Sequence, residues 1–292
     1  MIPDNSIIRD CVRAAATASA RWSLPLRSRL WQGVAGEMAG HGTGASMDFQ
    51  DHRQYVPGDD PRHINWQAYA RTGQYTLKLY REETRPLVEI WLDATGSMFL
   101  NEAKGRRAVE LFHFAIESAR RCGAQIEIKA VSAGRAHPLP LAESAAGDWA
   151  RFLPETEAGK SLPPPHEMQT RSGSMRVFIS DLLFPGDPSP WTRLLSARGG
   201  SGIVFAPFAA EESDPGWSGT CDFVDIETVE RRSHAVPPPV LRRYLEAYAA
   251  HFRVWKDLCR KFHIAVARVP AGGDLESGLA HEATPNGVIE PN

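Results

Sequence analysis

The sequence is short of cysteine, of net charge and of long apolar runs, and each shortage excludes a class of protein. Its four cysteines, Cys11, Cys122, Cys221 and Cys259, lie far apart with no CxxC pair, which argues against a zinc site or a disulfide framework. Reduced, mostly buried thiols are the expectation. Lys and Arg total 33 against 35 acids, a formal net charge of −2, so no overall basic surface invites nucleic acid or anionic lipid. No run approaches the roughly eighteen apolar residues of a membrane-spanning helix. The first residues, "MIPDNSIIRDCVRAAATASARW", carry Asp4, Arg9, Asp10 and Arg13 where a secretion signal needs an unbroken apolar region. A cytoplasmic protein without membrane insertion is expected. No internal repeat is evident.

What is present suffices for a large folded core: 292 residues, 42% of them hydrophobic. Residues 1–45 read as one or two helices, with Ile7, Ile8, Cys11 and Val12 at helical spacing, ending in the linker-like "GHGTG". Without a lysine or a preceding apolar strand, that run is not a phosphate loop.

The densest stretch is "YVPGDDPRHINWQAYARTG", Tyr55 to Gly73. Pro57 and Gly58 suit the centre of a type II turn. Asp60 then caps a helix with Pro61 in its first position, running to about Arg71 and closed by Gly73. Asp59 and Asp60 could serve a metal or acid–base chemistry, but caps and ion pairs with Arg62 or Arg71 are the commoner use of such acids and the expected one here.

"QYTLKLYREE" alternates as a half-buried strand, and the texture then changes. "LVEIWLD" is a short apolar run ending on Asp93, followed by "ATGSM" and a helix over about 101–122 with Ala108, Leu111, Phe112, Ala115 and Ala119 on one face. "AQIEIKAVS", "MRVFISD", "SGIVFAPF" and "FHIAVARV" read as further strands. Helical patterns lie between and after them, over 145–152, 189–197 and 240–262. Strands alternating with helices predict a doubly wound, mostly parallel α/β sheet. The predicted division is an N-terminal helical and extended region, 1–73, and the α/β domain, 74–292. "LPPPHE" and "VPPPVL" read as surface loops, Pro239 leading into a helix.

Ligands of open α/β sheets bind at the carboxyl ends of the strands. There "EIWLDATGSM" sets Asp93, Thr95 and Ser97 in one loop, and "RVFISDLL" sets Asp181 at another strand end. Carboxylates and hydroxyls together suit a hard cation such as Mg²⁺. The same groups suit helix capping, with the hydroxyls bonding backbone amides.

The run "DFQDHRQYVPGDDPRHINWQAYARTGQYTLKLYREE" followed by "LVEIWLDATGSM" resembles the signature of the bacterial family catalogued as domain of unknown function 58. That hallmark has an acid–Phe pair, R-x-Y-x-P-G-D-D-x-R-x-I-D-W, an Ala-Arg, a strand and D-x-S-x-S-M. The resemblance spans Asp48 to Met98 and implies a von Willebrand factor type A-like domain with a metal-ion-dependent adhesion site. Carried across, Asp93, Thr95 and Ser97 match the first metal loop, Ser161 the second-loop threonine, and Asp181 the third-loop aspartate. The implied cofactor is Mg²⁺ or Mn²⁺. Thr95 stands where the family has a serine, Ser161 is followed by prolines, and Asn65 replaces the aspartate of I-D-W. The signature residues Tyr55, Pro57, Gly58, Asp59, Asp60, Arg62, Trp66 and Arg71 are expected to fix a junction or form a recognition surface.

The function so implied is a non-enzymatic adaptor working with a MoxR-type AAA+ ATPase or its client. A metal-free interaction scaffold is the alternative. A Mg²⁺-dependent phosphohydrolase with Asp93 as nucleophile is a third reading, although such enzymes want an aspartate where this chain has Thr95.

Overall fold

The computed structural model describes residues 3–26, 47–56, 58–82, 85–153, 162–225 and 230–292. Its contacts divide into two compact units, Met1–Gly33 with Pro86–Asn292, and Val34–Arg85. Asp4 starts the first helix, its carboxylate accepting from the Ser6 and Ile7 N–H groups at 2.9 and 3.0 Å. This helix, α1 (Asn5–Arg21), buries Ile8, Cys11, Ala15 and Ala18, which join the core of the larger unit. The strand β1 (Trp22–Ser23) follows it. A division at residue 73/74 therefore does not describe these units. An amphipathic stripe must be covered, and α1 is covered within the sheet-bearing unit, whereas the strand expected to open the α/β domain lies in the smaller one. "GHGTG" lies outside the described residues.

In the smaller unit β2 (Met47–Gln54) pairs antiparallel with β3 (Thr76–Glu82). Gly58 takes φ 110° and the Asp59 N–H bonds the Val56 carbonyl at 3.0 Å, as the expected turn requires; Pro57 lies outside the described residues. The single helix expected from Asp60 to Arg71 is instead two pieces. A 3₁₀ turn, Pro61–His63, is capped by Asp60, and a helix, α2 (Trp66–Thr72), is capped by Asn65. The break arises because the Asn65 N–H donates to Thr76 at 2.8 Å while its side-chain oxygen accepts from the Ala68 N–H at 3.1 Å. Both bonds compete with helix continuation. Gly73 closes α2 in the left-handed conformation, as expected.

The larger unit is built on a six-stranded sheet from β4 (Leu87–Asp93), β5 (Gln125–Ser132), β6 (Arg135–Leu139), β7 (Met175–Ile179), β8 (Ser201–Phe208) and, beyond the hairpin β9 (Gly219–Val224) and β10 (Arg231–Val236), β11 (Ala265–Pro270). The order is β11-β8-β7-β4-β5-β6, parallel except for the antiparallel edge strand β6. The chain thus winds outward from β4 in one direction and then, from β7, in the other. The reversal falls between β4 and β7, whose carboxyl ends bound the crevice where such sheets take ligands.

Helices α3 (Glu102–Arg121), α4 (Leu141–Ala146), α5 (Ser189–Ser196), α6 (Ala210–Ser213), α7 (Pro238–Lys261) and α8 (Leu275–Glu282) complete the unit. Period-two alternation sorts the strand residues. Val88, Ile90, Leu92, Val177, Ile179, Ile203 and Phe205 pack with α1, α3 and α8, while Trp91, Phe178, Val204 and Ala206 pack with α5 and α7. The bounds of α3 match the reading from sequence, with Asn101 capping it through the Lys104 N–H at 2.8 Å. Yet α3 buries more than one face, since α1 packs along it as well as the sheet: Val109, Phe114 and Ile116 are buried too, Phe114 edge-on to Phe205 of β8. The helix expected over 145–152 is also two pieces, α4 and a 3₁₀ turn, Trp149–Phe152. Gly147 separates them at φ 91°, and a Cβ there would lie 2.9 Å from Ile8. Ile8 thus packs tightly against the backbone at Gly147 within the core. Ile8→Ala is expected to cost about 2–5 kcal/mol, measured as a lower urea midpoint with an unchanged slope.

Candidate functional site

Asp93 ends β4 as the last residue of an apolar strand, and its carboxylate is buried with both oxygens engaged. Oδ1 accepts from the Thr95 N–H at 3.0 Å and the Thr95 hydroxyl at 2.6 Å, while Oδ2 accepts from the Ser180 hydroxyl at 2.6 Å. The Thr95 and Ser97 hydroxyls lie 3.2 Å apart. A 3₁₀ turn, Gly96–Phe99, carries the chain from here toward α3.

Asp181 follows β7 across the switch point, 2% exposed. Its Oδ1 accepts from the Leu183 N–H at 3.0 Å and its Oδ2 from Lys104 Nζ at 2.8 Å. Lys104 stands in the first turn of α3, is fully buried, and also donates to Glu212 of α6. The Glu212 carboxylate in turn accepts from the Ala209 N–H at 2.9 Å. Burial pulls the Lys104 ammonium down, but the charges and hydrogen bonds of Asp181 and Glu212 outweigh it and hold its pKa above the ordinary lysine value. Asp93 has no such cation. Burial first, and then the charge of Asp181, push its carboxyl up to about 7 against the hydrogen bonds from Ser180 and Thr95.

Both acidic loops are also gripped from α7. The Tyr244 hydroxyl donates to the Glu212 carbonyl at 2.7 Å, and His251 Nε2 lies 2.7 Å from the Leu182 carbonyl. Leu182 itself has φ 61°, an unusual conformation for a non-glycine residue.

Of the residues nominated from sequence, Asp93, Thr95 and Ser97 form one hydrogen-bonded chain, and Asp181 lies near enough for its charge to act on Asp93. Ser161 lies outside the described residues. Ser180, Lys104 and Glu212 were not nominated; only Ser180, adjacent to Asp181, carried a local signal. Among the described residues no three His, Cys, Asp or Glu side chains form a metal-holding group, so an ion here would rest on hydroxyls as well as carboxylates.

The signature residues belong to the smaller unit. Asp59 takes a bidentate pair from Arg53, at 2.8 and 2.6 Å, and accepts from the Val56 N–H at 2.9 Å. Asp60 pairs with Arg62 at 2.7 Å. These acids form caps and local ion pairs, although the partner of Asp59 is Arg53 and not Arg62 or Arg71. Tyr69 and Tyr75 stack at 4.4 Å, with Tyr55 and Trp66 against Tyr75 at 6.2 and 6.4 Å. Trp66 is exposed, as is Arg71 in the last turn of α2.

Fold and cluster together define a doubly wound α/β protein whose mostly parallel six-stranded sheet carries buried acids and hydroxyls at its switch point. Residues 51–253 match the family described as Protein of unknown function DUF58, and the chain belongs to that family. No curated protein matches the chain. A solved structure, described as the crystal structure of conserved hypothetical protein BatB from Bacteroides thetaiotaomicron, is similar at 11% identity with a TM-score of 0.32, over 69% of this chain and 98% of that one. Among the described residues no helix is long and apolar enough to cross a membrane.

Proposed function

We propose that the chain is a non-enzymatic interaction module of von Willebrand factor type A-like design, with a divalent cation, Mg²⁺ or Mn²⁺, at the switch point. The observation that carries this reading is Asp93, a buried carboxyl pushed up to about 7 by burial and by Asp181, beside two hydroxyls and without a cation of its own. A hard ion relieves that repulsion, and the donor chemistry of Asp93, Thr95, Ser97 and Asp181 fits it. When bound, the ion supplies a positive centre with an open position for an acidic side chain of a partner. The strand order and the antiparallel edge strand support the type A-like design. The family resemblance favours a MoxR-type AAA+ ATPase or its client as the partner, in the cytoplasm.

The nucleophile reading of Asp93 is disfavoured by Thr95, which stands where such enzymes want a second aspartate. Calorimetric titration of Mg²⁺ and Mn²⁺ into chelator-treated protein tests the proposal, with Asp93→Ala as control. Saturable binding that disappears in the variant is expected. Absence of binding by the intact, folded protein would leave the metal-free scaffold in front.

A further inference from the structure

The switch-point cluster contains a lysine that neither the metal motif nor the family resemblance accounts for. Lys104 is fully buried at the start of α3, donating to Asp181 Oδ2 at 2.8 Å and to Glu212. Its two partners come from the loop after β7 and from α6, at 77 and 108 positions further along the chain. Such a contact is costly to build, because desolvating an ammonium and two carboxylates consumes much of what their attraction returns. A buried charge retained at that cost must be neutralised in place, and here the neutralisation is incomplete. Asp93, Asp181 and Glu212 bring three negative charges and Lys104 brings one positive charge, a residue of −2 when all are ionised.

From this we infer that Lys104 is a specificity-determining residue of the site: a resident counter-ion that cancels one of three acids and leaves a charge matched to a divalent cation. The inference rests on the metal-binding reading above for its ligand, but not for the counter-ion role itself. Lys104 acts through Asp181, one of the ion's donors, to which it is hydrogen-bonded. It holds Asp181 through Oδ2, and through Glu212 it anchors the start of α6, where the Glu212 carboxylate also receives the Ala209 N–H. Lys104 is therefore a positioning and charge-setting group, not a ligand.

Charge arithmetic makes the idea testable. Glu212→Gln lowers the residual charge to −1, and Lys104→Met with Glu212→Gln returns it to −2 by a different route. A unit charge at this range moves a neighbour's pKa by one to three units, so Glu212→Gln is expected to weaken Mg²⁺ binding by roughly tenfold or more on the same scale. Tb³⁺ binding should weaken further. The double variant should recover both affinities to within about threefold of the wild type, given the usual scatter of coupled substitutions. A purely structural role for Lys104 predicts the opposite, a double variant that binds no better than Glu212→Gln.

A second arm needs no metal. In chelator, urea unfolding of the four proteins should show Glu212→Gln rescuing part of the loss caused by Lys104→Met, because one of the two stranded acids is then neutral. Absence of rescue in the metal-free arm overturns the inference whatever the titration gives, and so does wild-type Mg²⁺ binding with no recovery in the double variant. Failure of the wild type to bind Mg²⁺ or Tb³⁺, with the metal-free rescue present, instead sinks the metal-binding reading and retains Lys104 as the counter-ion.

Discussion

Replacing Arg176 with Met is expected to destabilise the larger unit by about 3–5 kcal/mol, the largest effect of any single substitution considered. Arg176 is fully buried in β7, opposite Glu89 of β4, which is fully buried as well, with Nε 3.9 Å from Glu89 Oε2. Its Nη1 donates to the carbonyls of Leu195 and Ala197 at 3.1 and 2.8 Å, and its Nη2 to Arg171 at 2.6 Å. Met fills similar space but leaves the buried Glu89 without its cation and removes the guanidinium's hydrogen bonds to these carbonyls. The double variant Arg176→Met/Glu89→Gln should recover part of the loss, since the penalty of an unpaired buried charge is then gone. Urea unfolding of the three proteins checks this. A single variant within 1 kcal/mol of wild type would contradict the assignment of Arg176 as the pin at the amino end of the sheet.

The second large effect concerns Asp93 and pH. Its pKa stands at about 7 in the folded protein against 3.8 for an unperturbed aspartate. The folded state therefore keeps a proton that the unfolded chain releases. The associated stability is fully present below about pH 4 and is lost as pH rises through 7, in the absence of metal. Asp93→Asn should accordingly be more stable than wild type at pH 8 in chelator, and the pH dependence between 4 and 8 should flatten. Added Mg²⁺ should reverse the order at pH 8. The wild type gains about 2.7 kcal/mol at a hundredfold excess over Kd, while the variant gains nothing. Wild-type stability that rises from pH 5 to 7.5 in chelator would contradict the account.

Much of the fold was legible because its strands are apolar runs of the right length, and two of them stop at an acid. Asp93 and Asp181 could be nominated on that ground alone, and the helix after Asn101 on its spacing and cap. The edge strand β6 was not legible: "RAHPL" holds a proline and is largely exposed, so its pattern carries little signal. The hairpin of β9 and β10 is exposed in the same way. The break at Asn65 escaped notice because the choice between helix and strand bond depends on Thr76, a residue that local spacing does not bring into view. Lys104 and Glu212 were missed for the same reason on a larger scale. Periodicity reports which residues share a face, whereas an ion pair closed over 108 positions exists only once the sheet is assembled.

The two grips of α7 carry a consequence for motion. Tyr244 and His251 are separated by seven residues, two turns on one side of a continuous helix, so they stand about 10.5 Å apart along its axis. One holds the carbonyl of Glu212 and the other that of Leu182. A rigid rod pinned to two loops acts as a ruler between them: sliding α7 along its axis carries both acids the same way, and neither loop can be displaced alone without breaking its pin. The segments after β7 and β8 are therefore tied to one another through the long helix.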